Sequence, residues 1–527
     1  MKKLKAALSV WSKETFGDIF KQLTIRKDIV KIKEQLFEED PFEVNRMVLQ
    51  QAQAEFKRYL HFEEEFWKQK AGVKWQSEGD RNTRFFHNLE AVSQHQNELL
   101  CSMPSLEEVH KAVFELAGDS ACGPDSLSGI FYQKCWDIVG ADVYNVVKAF
   151  FDGQTLLKSV THTNLVLIPK KEIINSFSEL RSISLSNFIN KIITRIIHDR
   201  LESILPSLIS QNQSSFVKGR NIIENVFLTQ EVVANIRKRG KPTNVILKLD
   251  MAKAYDRVSW NYLIQVMKRM GFSDVFVDMI WRILANNWGV KKGDPLSPAL
   301  FILATKVLSK ALNSLFDKGM FRGYGLPRWS SNMNHLSYIN DTIVFASADK
   351  WSLQSIMKIL HDYEAVFGQK INVHKSAFYM YKKVSSELVH EVQQITGFSR
   401  GEFPFIYLGC PLFHARKKKI FYKDVMKKVR DKLQAWKGKL LSFGGKAVLI
   451  KSVLQSILVY PLSAMVPPKC VIKELHKLFN RFFWQTKEDG KCKHWSKWNK
   501  LCYPKVEGGL GFRSLNDISR ALFSKLW

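Results

Sequence analysis

Two apolar, β-rich runs in the middle of the chain, each carrying acidic side chains, constrain the fold more than any other feature. The run VILKLD ends on Asp250, and the run HLSYINDTIVFAS holds Asn340 and Asp341 between two apolar halves. The first pattern predicts a buried strand that ends on a carboxylate, and the second predicts a hairpin with polar groups at its turn. If the two strands adjoin, Asp250 and Asp341 converge on one site.

Converging carboxylates near a basic surface are typical of metal-assisted phosphoryl transfer, because Mg²⁺ takes oxygen ligands. The spacing alone also allows a plainer interpretation, in which one aspartate caps a turn and the other caps a helix. Both interpretations stay open at this point.

The segments around these runs alternate short strands with helices and predict an α+β fold. Residues 164–169 predict a strand, and residues 188–205 predict an amphipathic helix. In the loop 291–301, Ser297 is a candidate cap for a helix that begins near Pro298. The alternative is that this loop and the helix N-terminus contact a phosphate or a base pair.

The first hundred residues predict a helical hairpin whose turn lies at 38–41. Its two apolar stripes at helical spacing are Ile25, Ile29, Ile32 and Leu36 on the first helix, and Leu49, Ala52, Phe56 and Leu60 on the second. Such stripes are typical of helix packing, either in a core or against a partner helix.

The positive charge is unevenly distributed along the chain. The whole sequence has 79 Lys and Arg against 50 Asp and Glu, a net charge of +29, but residues 1–100 hold 17 basic and 16 acidic residues. Residues 416–451 hold 13 basic and two acidic residues, with Val425, Val429, Leu433 and Trp436 at helical spacing. This pattern predicts a helix that packs one face and presents a cationic face, which either binds a phosphate backbone or is simply solvated.

Cysteine usage and the apolar segments favour a soluble, intracellular protein in the nucleus or cytoplasm. The seven cysteines are few, odd in number and scattered, which argues against a disulfide framework. The N-terminal apolar stretch is too short for a signal peptide, and 452–468, the best membrane candidate, is too short and is interrupted by prolines.

Two further groups near the C-terminus have competing interpretations. Cys492, His494 and Cys502 could bind a metal, although their spacing fits no common zinc pattern. An aromatic group could stack on bases, but core packing is the favoured interpretation. Its members are Phe482, Phe483, Trp484, Trp495 and Trp498.

The motifs, taken in order, resemble one family: the reverse transcriptases of LINE-type (non-LTR) retrotransposons, in particular the plant lineage. The motifs that carry the resemblance are SEGDRNTRFFH, ACGPDSLSG, THTNLVLIPKK, LRSISLSNFINKI, NQSSFVKGRNIIENV, LKLDMAKAYDRV, GDPLSPALF, YIND, GQKINVHKS, FIYLGCPL and EGGLGFRSL. They extend over nearly the whole chain.

The resemblance implies a right-hand polymerase with fingers, a palm built on an antiparallel sheet and a helical thumb, preceded by the helical hairpin. It divides the chain into a helical region, an N-terminal extension of the fingers, the fingers and palm, a basic thumb and a C-terminal region. The corresponding ranges are 1–100, 101–162, 163–413, 414–480 and 481–527.

The resemblance also implies a role for each matched residue. Asp250 and Asp341 would hold two Mg²⁺ ions, and Asn340 would lie beside them in the catalytic turn. The substrate-binding residues would be Tyr255 at the incoming sugar, Lys170 and Arg181 at the triphosphate or template, Lys375 at the pyrophosphate and Gly293 in the GDPLSP motif. The implied partners are an RNA template, an RNA–DNA duplex and deoxynucleotides, without a membrane; the oligomeric state stays open.

Departures from the family pattern predict an impaired, internally deleted enzyme. Asn340 replaces a metal-binding aspartate, which weakens the Mg²⁺ site, and Lys291-Lys292 and Ser182 replace other family residues. The interval from Asp250 to Gly293 is shorter than in the family, which indicates an internal deletion, and the segment 93–105 indicates a second one. We expect no upstream endonuclease domain and no C-terminal zinc-binding or RNase H-like region. The alternatives are a protein that binds RNA or RNA–DNA duplex without catalysis, and a transposon remnant without function.

Overall fold

The computed structural model has an α+β fold, as the sequence predicts. It describes residues 19–40, 42–70, 92–154, 156, 160, 162–171, 173–237, 243–252, 258–284, 293–317, 319, 321–326, 332–436, 441–485 and 494–524.

The described helices are α1 (Ile19–Glu39), α2 (Glu43–Lys70), α3 (Gln94–Cys101), α4 (Leu106–Glu115), α5 (Gly129–Lys134), α6 (Trp136–Phe151), α7 (Phe188–Leu208), α8 (Ile222–Ala234), α9 (Trp260–Arg269), α10 (Asp274–Leu284), α11 (Ser297–Asn313), α12 (Lys350–Phe367), α13 (Ser386–Thr396), α14 (Lys423–Trp436), α15 (Phe443–Leu449), α16 (Gln455–Ala464), α17 (Lys469–Trp484), α18 (Trp498–Leu501) and α19 (Leu515–Ser524). The strands are β1 (Thr163–Pro169), β2 (Leu180–Ser186), β3 (Asn244–Ala252), β4 (His335–Tyr338), β5 (Asp341–Ser347), β6 (Lys370–Ile371), β7 (Ala377–Tyr379), β8 (Ser399–Arg400), β9 (Phe405–Tyr407) and β10 (Cys410–Leu412).

The main sheet has six strands in the order β4-β5-β3-β7-β8, with β6 also paired to β3. Strand β3 runs antiparallel to β5, β6 and β7, and β4 and β5 form a hairpin. Two separate two-stranded sheets, β1–β2 and β9–β10, are also antiparallel hairpins. The strand predicted at 164–169 and the helix predicted at 188–205 are confirmed as β1 and α7.

The main sheet lies between two hydrophobic cores. Because side chains alternate along a strand, Leu247 and Leu249 of β3 pack into one core, while Ile246 packs into the other. The first core also receives α7, α9, α10, α11 and α12, and the second receives α8, α14, α16 and α17 together with the β9–β10 hairpin. Both cores therefore fix the position of β3.

The predicted N-terminal hairpin is confirmed, because α1 and α2 pack together and are joined near residues 40–42. The predicted stripe on α1 is wrong in part, since Ile25, Ile32 and Leu36 are between 41% and 54% exposed. Phe37 of α1 and Leu49 of α2 are buried instead. The face of α1 that packs against α2 is therefore not the face that carries Ile25, Ile32 and Leu36.

The structure corrects the predicted helix cap at Ser297 and one member of the C-terminal aromatic group. Ser297 does not cap α11, because it is the first helical residue, and the side chain of Asp294 accepts a hydrogen bond from the main-chain N–H of Leu296 at 3.0 Å. The core-packing interpretation of the aromatic group is confirmed for Phe482, Phe483 and Trp498, which are at most 9% exposed. It is wrong for Trp495, which is 81% exposed.

Two helical stretches, 297–317 and 443–464, are long and apolar enough to cross a membrane. Length and composition alone are weak evidence, because core helices of soluble proteins meet the same criterion. The first stretch is mostly buried inside the protein, and the second includes one π-helical turn, Ile450–Leu454.

Candidate functional site

Asp250 and Asp341 lie directly opposite each other on adjacent antiparallel strands. Directly opposed residues have Cβ atoms about 4.5–5.5 Å apart, so their side chains share one face of the sheet. Strand β5 begins at Asp341, immediately after the two-residue turn that contains Asn340. The condition set by the sequence, adjacent strands that bring these aspartates together, is therefore met.

The alternation along β3 explains why charged groups gather at this end of the strand. Ile246, Lys248 and Asp250 share a face, on which Ile246 is buried in the second core, whereas Lys248 and Asp250 are only half-buried. The ammonium group of Lys248 donates a hydrogen bond to the main-chain oxygen of Ile406 at 2.8 Å. This face thus leaves the core and opens beside the β9–β10 hairpin.

Burial raises the pKa of the Asp341 carboxyl above its usual value. The positive charge of Lys248 partly opposes this rise in pKa, and the negative charge of Asp250 adds to it. The pair of aspartates therefore favours a positive partner, because any cation that binds there relieves their repulsion.

The turn that carries Asn340 is strained and is held by hydrogen bonds from another part of the chain. Ile339 has a φ of 56°, which is rare for a β-branched residue. Its main-chain N–H donates to Oγ of the fully buried Ser215 at 2.9 Å, and that hydroxyl donates to Gln213 at 2.7 Å. Strained backbone of this kind persists only where its surroundings fix it, and Ser215 supplies part of that support.

A clamp built around Arg220 fixes the segment that contains Ser215. The guanidinium of Arg220 donates to the main-chain oxygens of Ser210, Gln213 and Ile209 at 2.5, 2.6 and 2.7 Å. Asn225 further donates to the main-chain oxygen of Ser337, in the strand before the turn, at 3.0 Å.

This segment lies within the motif NQSSFVKGRNIIENV, whose residue pattern assigns it no role. The available signal was a run of polar residues leading into a helix, which predicts a loop on the surface. In the structure, Gln213, Ser214, Ser215 and Asn225 are buried, and their hydrogen bonds support the turn of the site.

Lys375 lies in a turn that is bonded to the backbone of Asp250. The N–H of Asp250 donates to Oγ of Ser376 at 3.1 Å, and the main-chain oxygen of Asp250 accepts from Asn372 at 2.8 Å. Lys375, between them, is exposed. The structure thus brings this predicted residue close in space to the aspartates, with Ser376 as a further support that the sequence did not indicate.

Lys170, Arg181 and Gly293 belong to a second group, at the β1–β2 hairpin. Arg181 pairs with Ile168 across this hairpin, and the exposed Lys170 follows directly after β1. Gly293 has a φ of 103°, and a side chain placed there would lie against the main-chain oxygen of Ser184 in β2. The loop before α11 therefore meets the middle of the hairpin.

Some predicted residues lie outside the described part of the chain. These residues are Tyr255, Lys291, Lys292 and Cys492. Within the described residues, the one group of three metal-ligand side chains is His198, Asp199 and Glu202 on α7, where Asp199 already bonds Arg195.

A small cavity lies behind the strained turn and is lined by Met251, Lys306, Asn340 and Thr342 among other residues. Its volume of about 20 Å³ has room for roughly one water molecule. It is too small for a nucleotide, so a substrate would have to approach the aspartates from the open face of the sheet.

The predicted basic helix is confirmed as α14. Val429 and Leu433 are buried, while Lys423, Lys427 and Lys428 are exposed. Glu474 of α17 bonds both Lys419 and Arg430 at 2.5 Å, and the bond from Lys419 is the main reason that the pKa of Glu474 is lowered. Lys423, Lys427 and Lys428 form an exposed cationic face of α14 that can contact phosphates.

Replacing Ser215 with alanine should destabilise the protein through the turn. In the Ser215→Ala variant the partly buried N–H of Ile339 loses its acceptor, and we expect the free energy of unfolding to fall by about 1–3 kcal/mol in chemical denaturation. The matched control is Ser203→Ala, which removes an exposed hydroxyl from α7 and should change it by less than about 0.5 kcal/mol. Equal effects of the two substitutions would contradict the supporting role of Ser215.

Replacing Asp341 with asparagine should stabilise the protein near neutral pH when divalent cations are absent. Because the pKa of Asp341 is raised in the folded state, ionisation of this carboxyl opposes folding, and the variant removes that opposition. The gain should be complete well above the raised pKa and should vanish below about pH 3, where the carboxyl is protonated in both states. Chemical denaturation of both proteins, near neutral pH and at the low pH, measures this difference in the free energy of unfolding.

The matched control for this substitution is Asp362→Asn, at an exposed position on α12. It should leave the free energy of unfolding nearly unchanged at both pH values. A loss of stability in Asp341→Asn near neutral pH would show that the carboxylate supports the fold and would refute the prediction.

The chain is similar to known proteins over the region that contains the paired aspartates. A family model described as reverse transcriptase (RNA-dependent DNA polymerase) matches residues 168–412, a range that contains both aspartates, strand β2 and the clamp. The chain is 27% identical over 458 residues to the Transposon TX1 uncharacterized 149 kDa protein of Xenopus laevis, covering 82% of this chain and 33% of that protein.

Two other relatives match shorter parts. The Pol polyprotein from the type-2 retrotransposable element R2DM of Drosophila melanogaster is 23% identical over 295 residues, covering 51% of this chain and 26% of that protein. A putative ribonuclease H protein of Arabidopsis thaliana is 35% identical over 116 residues, covering 22% of this chain and 19% of that protein. The chain thus spans a third or less of the length of these relatives, and its residues 168–412 are similar to the reverse transcriptase family.

Proposed function

We propose that this chain is a non-LTR reverse transcriptase of the plant lineage whose capacity for RNA-directed DNA synthesis is reduced. The observation that carries the proposal is the pairing of Asp250 with Asp341 beside a turn that holds Asn340. The pairing retains two carboxylates for a metal, and the amide of Asn340 removes one negative charge from the same place.

The residues at this site fit a divalent cation. Two carboxylate groups face each other, and burial raises the pKa of Asp341, to which the negative charge of Asp250 adds. Asp250 and Asp341 would hold Mg²⁺, with the amide oxygen of Asn340 as a weaker neutral ligand. A divalent ion at such a site stabilises the charge that develops on phosphate oxygens during phosphoryl transfer.

The chain's own residues would position the substrates around the aspartates. The strained turn at Ile339, supported by Ser215, fixes where the carboxylate of Asp341 points. Lys375 is exposed beside Asp250 and would meet the negative charge of the pyrophosphate. Lys170 and Arg181 would contact the triphosphate or the template from the β1–β2 hairpin.

We further propose the polymerase assignment of the remaining elements. The main sheet would be the palm, the β1–β2 hairpin part of the fingers, and α14 part of the thumb, which would bind the RNA–DNA duplex through its cationic face. The implied substrates are deoxynucleotides on an RNA template, in the nucleus or cytoplasm.

The plant lineage is supported by relatives of higher identity over short segments. Two uncharacterized mitochondrial proteins of Arabidopsis thaliana are 40% and 37% identical to this chain over 63 and 68 residues. The short interval between Asp250 and Gly293 supports the internal deletion that we propose as a second cause of reduced activity.

Primer extension on an RNA template tests the proposal. The unmodified protein should extend a DNA primer little or not at all with Mg²⁺ or Mn²⁺, and Asn340→Asp should raise the rate by at least about tenfold, because changes around a metal commonly alter activity by 10–100-fold. The double variant Asn340→Asp with Asp250→Asn is the control, and it should lose that gain. Rapid extension by the unmodified protein, unimproved in Asn340→Asp, would refute the reduced-activity proposal.

A second candidate function is binding of RNA or RNA–DNA duplex without catalysis. The observation that favours it is the exposed cationic face of α14, which does not depend on the identity of residue 340. A chain without polymerase activity would retain this face.

The salt dependence of duplex binding tests this candidate. The affinity for an RNA–DNA duplex should fall steeply with salt, and replacing Lys423, Lys427 and Lys428 with alanine should reduce the slope of log affinity against log salt by up to about 0.9 per lysine. The matched control replaces Lys111, Lys134 and Lys148, which are exposed on α4, α5 and α6. A flat salt response, or equal slopes for the two triple variants, would count against binding through α14.

A further inference from the structure

A groove near the C-terminus lies outside the region that matches the polymerase family. It is formed by α17 and the segment leading into α18, and it is lined by Asn480, His494, Trp495, Ser496, Lys497 and Lys500. Its volume is about 500 Å³. Sites that bind small molecules commonly measure about 300–1,000 Å³, so this groove has room for a nucleobase with its sugar.

Trp495 presents its ring to solvent although a core lies close by. Trp498, three residues later, is 6% exposed and stacks on Phe512 with ring centroids 5.0 Å apart. Trp498 also contacts Phe479 of α17, so its ring belongs to the second core. Trp495 is left 81% exposed, which is unusual for a residue that is highly buried on average.

The charge around the exposed ring has one sign. Lys497 and Lys500 are both exposed and line the groove, and its lining contains no carboxylate among the described residues. An open aromatic face with lysines in the same groove suits a base that stacks and a phosphate that pairs with the ammonium groups. A protein partner would instead call for a continuous apolar patch, which a single ring among cations does not supply.

We propose that this groove binds single-stranded nucleic acid, with one base stacked on Trp495 and adjacent phosphates contacted by Lys497 and Lys500. The site is separate from the paired aspartates and from the cationic face of α14. It would hold an unpaired strand while those elements engage a duplex.

Binding of short labelled single-stranded oligonucleotides to the full chain, followed by fluorescence anisotropy, tests the proposal. Trp495→Ala should weaken binding by about 5- to 150-fold, the range expected when one stacking platform is removed, and Trp495→Phe should retain most of the affinity. The double variant Lys497→Ala with Lys500→Ala should reduce the salt slope by up to about 1.4, the effect of two contacts to a single strand. Parallel RNA and DNA oligonucleotides show which strand the groove prefers.

The matched control is Trp351→Ala on α12, because Trp351 is another exposed tryptophan, 62% exposed, outside the groove. It should leave single-strand affinity unchanged. Equal single-strand affinities of the Trp495→Ala and Trp351→Ala proteins would overturn the proposal. Affinity for an RNA–DNA duplex, measured on the same proteins, keeps this outcome distinct from failure of the α14 interface, since Trp495→Ala should not affect the duplex.

Discussion

The antiparallel pairing of β3 with β5 determines where every other part of the candidate site must lie. Its register sets Asp250 against Asp341, and the same hydrogen bonds fix the start of the turn that contains Asn340. The side chains on either face of β3 enter different cores, so a shift of one residue would exchange buried leucines with Lys248 and Asp250. The hydrophobic effect on both faces therefore enforces the register, and the register places the two carboxylates opposite each other.

The site and the cationic helix depend on different kinds of physical interaction. The aspartate pair needs a precise backbone, which is why a left-handed Ile339, a buried hydroxyl at Ser215 and the Arg220 clamp surround it. The exposed lysines of α14 act through charge and need only a helix that keeps one face packed. A substitution at residue 340 would change the first and leave the second intact.

Much of the fold could be predicted from local patterns. The strand at 164–169, the helix from residue 188, the N-terminal hairpin and the face of α14 all follow from hydrophobic periodicity, and each is present. The adjacency of the two aspartate-bearing strands could be stated only as a condition, because it depends on pairing between segments about ninety residues apart in the chain.

The features that the sequence did not predict depend on tertiary contacts. Trp498 stacks on Phe512 in the core whereas Trp495 is exposed, and the side chain of Asp294, not that of Ser297, accepts a hydrogen bond at the start of α11 because Ser297 lies inside the helix. Ser215 is buried only because the 209–220 segment folds against β4 and its turn. No pattern of spacing contains this information, because the partners are distant in the chain.

The contact between Lys248 and Ile406 affects which sequence changes the segment around residue 406 can tolerate. The ammonium group bonds the main-chain oxygen of Ile406 and not its side chain, which is 39% exposed. Residue 406 can therefore change its side chain over generations without releasing the lysine next to the aspartates, whereas an insertion that alters the path of the backbone there would release it. Variation among descendants of this gene should accordingly be tolerated in side-chain identity at 406 and restricted in the length of the segment around it.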